Sequence, residues 1–217
     1  MVLLACRYDA RAAPLCQSAT LAAMTFIIVG LGNPGKEYAK TRHNAGRMAV
    51  ELFAKKEGLA FEFNKKANAE VAKGDGMTLV LPETLMNNSG KAVMQFVKTP
   101  KAAAKQLLVL QDDLDLPIGV IKMVFGRGSG GHKGIESVNR AIKSNDYARI
   151  RIGISAAGKK NQAKKVSGEE KVVKHVIGKF KPTEEAALKK ALKKSVEALE
   201  LFVSDGLEIA MQFANTK

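Results

Sequence analysis

Residues 26–46, FIIVGLGNPGKEYAKTRHNAG, constrain the fold of this chain more than any other stretch. Phe26-Ile27-Ile28-Val29 is an apolar, β-branched run of the kind that fills a strand buried on both faces. Gly30, Gly32 and Gly35 then predict a turn whose backbone can approach a ligand closely, with Asn33 inside it. Arg42, His43 and Asn44 follow, where the pattern Met48, Ala49, Leu52, Phe53 predicts a helix. An amide and an imidazole brought to the carboxyl end of a buried strand are the means by which open α/β sheets build sites. Gly30 to Gly35 also satisfies the dinucleotide fingerprint G-x-G-x-x-G. That reading needs a helix starting at the glycines to receive a pyrophosphate. Pro34 and the polar connector from Lys36 to Thr41 place the helix start later, and only Glu51 and Glu62 stand where a ribose-binding acid would be needed.

The rest of the chain extends the same pattern. Glu62 to Val71 and Met77 to Leu81 read as short strands around the turn Lys73-Gly74-Asp75-Gly76, with Pro82 closing the second. Thr84 to Gly90 leads into an amphipathic run, Val93, Met94, Phe96 and Val97, which Asn87, Asn88 or Ser89 could cap. Leu107 to Leu110 is a further buried strand and ends in the acidic Gln111-Asp112-Asp113-Leu114-Asp115-Leu116-Pro117. Carboxylates there are expensive to bury unless paired, which makes them candidates for a site. Ile118 to Phe125 reads as a strand and Gly126 to Gly134 as a glycine-rich loop whose Arg, His and Lys suit contact with an anion. A helix from about Ile135 to Ile142 precedes the strand Ala148 to Ile154. The alternation predicts one α/β domain, a mixed and mostly parallel twisted sheet flanked by helices.

From Lys159 to Lys194 there are 12 Lys against 4 Glu, with no Arg or Asp. Ser155 to Glu170 is read as a flap, and Pro182 as the start of a helix with Ala187, Leu188, Leu192, Val196, Leu199 and Val203 on its apolar stripe. The formal net charge of +14 points to a polyanionic partner, and the lysine-rich segment to contact with RNA. Residues 1–23 have no sustained period, and Arg7, Asp9 and Arg11 interrupt any signal-peptide core. They are expected to be a poorly ordered leader, or a start assigned too early, with the domain running from 24 to 217; an organellar transit peptide is the alternative. Cys6 and Cys16 both fall in that segment, so neither a disulfide framework nor a thiolate metal site is expected. No apolar run approaches a membrane span.

The polar residues at predicted strand ends are Asn33, His43, Asn87, Asp112 and His132. There is no Gly-x-Ser-x-Gly elbow. An imidazole with a carboxylate partner, and no Ser or Cys nucleophile, fits a general base that activates water directly. Two amides could then position the water and polarise a carbonyl. The alternative is that His43, His132 and Asp112 ligate a metal, although no closely spaced ligand pair supports it. His175, among lysines and valines, reads as a surface or packing histidine.

Taken together, Val29 to Gly35, Tyr38, Thr41 to Gly46, Met86 to Gly90, Asp112 to Pro117, Gly130-Gly131-His132 and Arg149 to Ile154 resemble the bacterial peptidyl-tRNA hydrolase family, from Met24 to the C-terminus. The resemblance implies an esterase that frees tRNA by cleaving between the peptide and the terminal ribose of peptidyl-tRNA. It implies a cytoplasmic monomer with no metal or cofactor and no membrane partner, contacting the acceptor stem and CCA end. By position His43 would be the base and Asp112 its partner, Asn33 and Asn87 would orient substrate and water, and Tyr38 and Met86 would line the site. His132 would lie at its rim, and Arg151 with the basic flap would face tRNA phosphates. A pseudo-enzyme that binds RNA without cleaving it is the second class, marked by loss of the histidine or an amide, all of which are present. Two positions depart from the family pattern. Lys133 stands where Asn usually follows the loop histidine, and Val124 where a basic residue is often found, with Lys122 and Arg127 nearby. Lys133, near a helix N-terminus, is expected either to hold a substrate phosphate with that helix end or to project into water.

Overall fold

The computed structural model describes residues 25–97, 99–158 and 162–216, so the expectations for residues 1–23 and for Cys6 and Cys16 lie outside the described residues. One seven-stranded sheet organises the chain, from β1 (Phe26–Gly30), β2 (Glu62–Asn64), β3 (Ala69–Gly74) and β4 (Met77–Pro82) to β5 (Leu107–Pro117), β6 (Ile121–Phe125) and β7 (Ala148–Ser155). The strand order is β2-β3-β4-β1-β5-β7-β6. β4, β1, β5 and β7 pair in parallel, as buried β-branched runs do, while both edges are antiparallel.

The alternation along β1 sends its side chains to two cores. Ile28 joins Leu79, Leu108 and Ile150 on one face, covered by α1 (Ala45–Lys56), α6 (Glu185–Ser204) and α7 (Leu207–Asn215). Ile27 and Val29 join Val80 and Val109 on the other, beneath α2 (Gly90–Val93), α3 (Pro100–Gln106) and α4 (Lys133–Ile142). The remaining helix, α5 (Glu169–Val176), contributes Val176 to the first core.

Several elements differ from the sequence expectation. Glu62 to Val71 is two antiparallel strands, because Asn64 Oδ1 accepts the Ala67 N–H (3.0 Å) and Asn68 takes φ 48°, turning the chain back. The helix expected through Val93, Met94, Phe96 and Val97 is only the four-residue α2, which ends at Val93, and Met94 is exposed. Leu52 is exposed too; α1 buries Ala45, Gly46, Ala49, Val50, Phe53 and Ala54 instead. The acidic stretch after Leu110 continues as strand to Pro117. α3, α5 and α7 have no counterpart in the expectation. α3 carries a local signal, since Thr99 Oγ1 caps Ala102 N (3.1 Å) and Pro100 stands in the first turn.

One close approach places the first helix. A Cβ at Gly46 would lie 2.2 Å from the Leu110 carbonyl oxygen, so only glycine lets the start of α1 seat against β5 at Leu110. Gly46→Ala should therefore force α1 off β5 and destabilise the fold by about 1–3 kcal/mol. Thermal unfolding checks this; a melting temperature equal to the parent's would show that the helix tolerates the shift.

Candidate active site

Seating α1 on β5 brings the 3₁₀ turn Arg42–Asn44 to the end of the sheet. That turn is pinned from several sides. Arg42 donates from Nη1 to the Ile154 carbonyl (3.1 Å) and from Nη2 to Glu184 Oε2 (2.6 Å), and its guanidinium stacks 4.8 Å from the Phe180 ring centroid. Its backbone N–H donates to Gly178 O (2.9 Å), and Thr41 pairs with Lys179 as an isolated bridge. Arg42 and Asn44, on either side of His43, are both buried.

His43 Nδ1 lies 2.8 Å from Asp112 Oδ1, on β5. His132 Nε2 lies 2.8 Å from the same oxygen, and the two imidazole centroids are 5.1 Å apart. His132 was expected at the rim; it is instead bonded into the centre, its side chain only 9% exposed. Its other nitrogen, Nδ1, caps α4 by accepting the N–H groups of Gly134 (3.2 Å) and Ile135 (3.3 Å). A ring nitrogen that accepts carries no proton, so the His132 proton sits on Nε2 and is donated to Asp112. His43 likewise donates from Nδ1, which leaves its Nε2 lone pair as the free base.

Burial by itself pushes the Asp112 carboxyl up, but the two imidazoles and their hydrogen bonds prevail and hold it well below the usual carboxylate range. Burial likewise pushes the His43 imidazole down. The charge and hydrogen bond of Asp112 outweigh this and raise it above its ordinary value, with Lys133 opposing. The ligand atoms of His43, Asp112 and His132 lie within 4.8 Å of one another, the spacing of a metal site. The donor set does not fit one. A metal on His132 Nε2 would move the proton to Nδ1, against two backbone N–H groups already directed there.

Asn33, in the turn after β1, is held by Asn44, which accepts its N–H (2.9 Å) and donates to its carbonyl (2.9 Å). Asn33 Oδ1 accepts the Met86 N–H (2.8 Å), so the side-chain amide has a defined orientation and Nδ2 is its available donor. The bond also ties the turn Met86–Asn88, with Asn87 exposed on it, to the glycine turn. Met86 itself is 5% exposed and packs in the core with Leu31 and Ile135, so its expected place in the site lining becomes a place beneath it. Tyr38 is half-buried, its carbonyl accepting from Thr41 N (2.9 Å) and Oγ1 (2.8 Å).

His43 and His132 line a cavity of about 630 Å³ together with Asp113, Arg127, Arg149, Arg151 and a group of valines, among them Val172 and Val176. Arg151 is partly exposed and paired to Asp113. The β6–β7 register sets Lys122 opposite Arg151, and Val124 opposite Arg149. Lys133, the first residue of α4, also lines the cavity and is exposed, with Nζ 3.6 Å from Glu169 Oε1. His175 Nε2 donates to the Ile154 carbonyl oxygen (3.2 Å). The sequence reading missed Asn44 and Arg149. The first adjoins His43 and the second lies two residues from Arg151, on the same face of β7.

A family model described as peptidyl-tRNA hydrolase matches residues 27–217. The peptidyl-tRNA hydrolase of Prochlorococcus marinus is 37% identical over 195 residues, covering 88% of this chain and 93% of that one. That of Aquifex aeolicus is 39% identical, covering 87% and 95%. The crystal structure of peptidyl-tRNA hydrolase from Acinetobacter baumannii superposes with a TM-score of 0.76 at 36% identity, over 88% of this chain and 95% of that one.

The shared carboxylate predicts the titration of the centre. His43 should titrate above the ordinary imidazole value of about 6.5 and be protonated, hence unable to act as a base, below that midpoint. Removing the second donor with His132→Ala should raise the midpoint further, because Asp112 then serves His43 alone. NMR titration of the His43 ring reads both; a midpoint that falls in the variant would contradict the geometry.

Proposed function

The chain belongs to the peptidyl-tRNA hydrolase family, and from that premise we propose that it cleaves the ester between peptide and terminal ribose with water activated by His43. The observation that carries this reading is the His43 Nδ1–Asp112 Oδ1 hydrogen bond of 2.8 Å, which leaves His43 Nε2 free to take a proton from water. Asp112 keeps the imidazole in that tautomer and balances the charge formed when the proton arrives. Asn33, fixed through Met86 and Asn44, offers Nδ2 to the ester carbonyl as negative charge develops on its oxygen. Asn87, exposed on the tethered turn, completes the positioning of water. Hydroxide adds to the carbonyl carbon, the ribose oxygen leaves with a proton from His43, and peptide and tRNA separate without a covalent intermediate. Neither metal nor cofactor is required by this sequence of steps.

The substrate is peptidyl-tRNA, and its acceptor end carries the phosphates that the basic side chains meet. Tyr38 stands beside the glycine turn, where the terminal nucleoside or the first peptide units would pass. Arg151, with Lys122 opposite it on β6, offers cationic charge along the sheet. Among the described residues no helix is long and apolar enough to cross a membrane.

His43→Ala should cut turnover by about 10²–10⁴-fold while tRNA binding persists. The assay is release of deacylated tRNA from a purified peptidyl-tRNA; near-normal release would remove His43 as the base and favour a protein that only binds RNA.

Lys133 is assigned a phosphate of the acceptor end held by its ammonium group alone, because the N–H groups of Gly134 and Ile135 that open α4 are already taken by His132 Nδ1 and the expected share of the helix end in the contact falls away. The incoming phosphate would replace Glu169, whose contact at 3.6 Å between two exposed side chains contributes little. Lys133→Ala should raise KM far more than it lowers kcat, since such a contact is made equally in ground and transition states. It should also reduce the salt-dependence slope of binding by about 1. An unchanged slope would mean that Lys133 only projects into water.

A further inference from the structure

Arg149 on β7 is 2% exposed. It donates from Nη1 to Gln111 Oε1 (3.1 Å) and from Nη2 to the carbonyls of Arg127 (2.7 Å) and Gly128 (2.9 Å). Among the described residues no carboxylate bonds this guanidinium, and its Nε is buried without a partner. Such an arrangement is a poor stabiliser. A buried unpaired donor costs about 1–3 kcal/mol, and an apolar side chain of similar volume fills the same space without that penalty.

What the three bonds achieve is geometric. Arg127 and Gly128 begin the glycine-rich loop, and His132 ends it. Between them Gly130 and Gly131 take φ 62° and 79°, backbone that side chains avoid, and no atom lies within 4 Å of where a Cβ would stand at Gly128, Gly130 or Gly131. Inside the loop Ser129 makes a local turn, its carbonyl accepting from His132 N (3.2 Å) and its Oγ from Gly131 N (3.1 Å). Ser129 Oγ also meets Glu136 in an exposed bond of 3.3 Å. The loop is thus fastened at its root by Arg149 and at its far end by His132 on Asp112. The third bond of Arg149 goes to Gln111, the residue before Asp112 on β5.

We propose that Arg149 is a positioning residue for the hydrolysis. It fixes the root of the glycine-rich loop against the strand that carries Asp112, so that His132 Nε2 stays on Asp112 Oδ1 and the carboxylate stays aimed at His43. Arg149 acts through His132 and not on the substrate. The inference rests on His43 and Asp112 being the reacting pair.

A double-mutant cycle on the full chain tests it, with turnover of peptidyl-tRNA as the readout. Arg149→Met and His132→Ala should each lower kcat, by up to about 10²-fold for a misplaced group. The double variant should be no worse than the poorer single, because both changes break one linkage. The groups facing His43 are Asp112, His132 and Lys133; both single variants should move the acid limb of the pH–rate profile upward, since each leaves Asp112 to His43 alone. Arg149→Lys keeps the charge and some of the donors and takes the place of Arg149→Met in the same cycle should that variant not fold. Losses that multiply, with an unmoved acid limb, overturn the proposal and leave Arg149 a part of the fold only. His43→Ala, assayed beside them, tells two failures apart. Normal turnover there removes the reacting pair and this proposal with it, whereas lost turnover with multiplying losses at Arg149 and His132 removes the proposal alone.

Discussion

Asp112 Oδ1 is the atom on which the site depends, because two imidazoles from distant parts of the chain donate to it. A buried carboxylate without partners would be several kcal/mol unfavourable, and charge-assisted hydrogen bonds are the strong ones that offset it. The two donors are constrained in different ways. His132 is held by backbone amides at the start of α4, which dictate where its proton sits. His43 is held by the fastening of Arg42 to Ile154, Glu184 and Phe180. The carboxylate thereby has one imidazole that cannot turn and one whose far nitrogen is free to react.

The sheet supplies the ground for this arrangement. β1 and its parallel neighbour β4 are followed by helices on opposite faces, α1 on one and α2 on the other, which opens a crevice at their carboxyl ends. Asn33 rises from β1, Asp112 from β5, and the turn with Asn87 follows β4. Helix N-termini complete the rim, at the His43 turn and at His132. The same parallel pairing that buries Ile27, Ile28 and Val29 sets Gly30 opposite Leu110, two residues before Asp112. Core and chemistry share one register.

Much of this was legible in the chain because it is local. A buried β-branched run followed by Gly and Asn marks a strand end, residue types call for an imidazole with a carboxylate partner, and the family resemblance implies that the two are His43 and Asp112. What was not legible is long-range. His132 reads as a loop residue until the folded chain shows one ring capping a helix and donating to a carboxylate. Met86 reads as a lining residue until Gly134 is seen to leave room for its sulfur, which would lie 2.4 Å from a Cβ there. Asn44 was read only as part of a motif, although its side chain fixes the backbone of Asn33 eleven positions away. Arg149 had a signal: strand alternation places it on the same face as Arg151, and only the second was singled out. β2 and β3 read as one segment although Asn64 to Asn68 between them carries the turn residues, and in α5 and α7 a lysine-rich or short segment weakens the periodicity.

The fastening of Arg42 has a consequence for how the molecule comes into being. Its partner Glu184 stands 142 positions further along the chain. A ribosome adding about 5–20 residues each second makes the first on the order of ten seconds before the second. Asn215, later still, closes the open side of β6 by bonding both the N–H and the carbonyl of Met123 at 3.0 Å. Throughout that interval the growing chain is itself a peptide esterified to a tRNA, the very bond its finished form cleaves. Residues translated long after His43 lock the turn that carries it, so a half-made copy holds its base unsecured until Glu184 has been added.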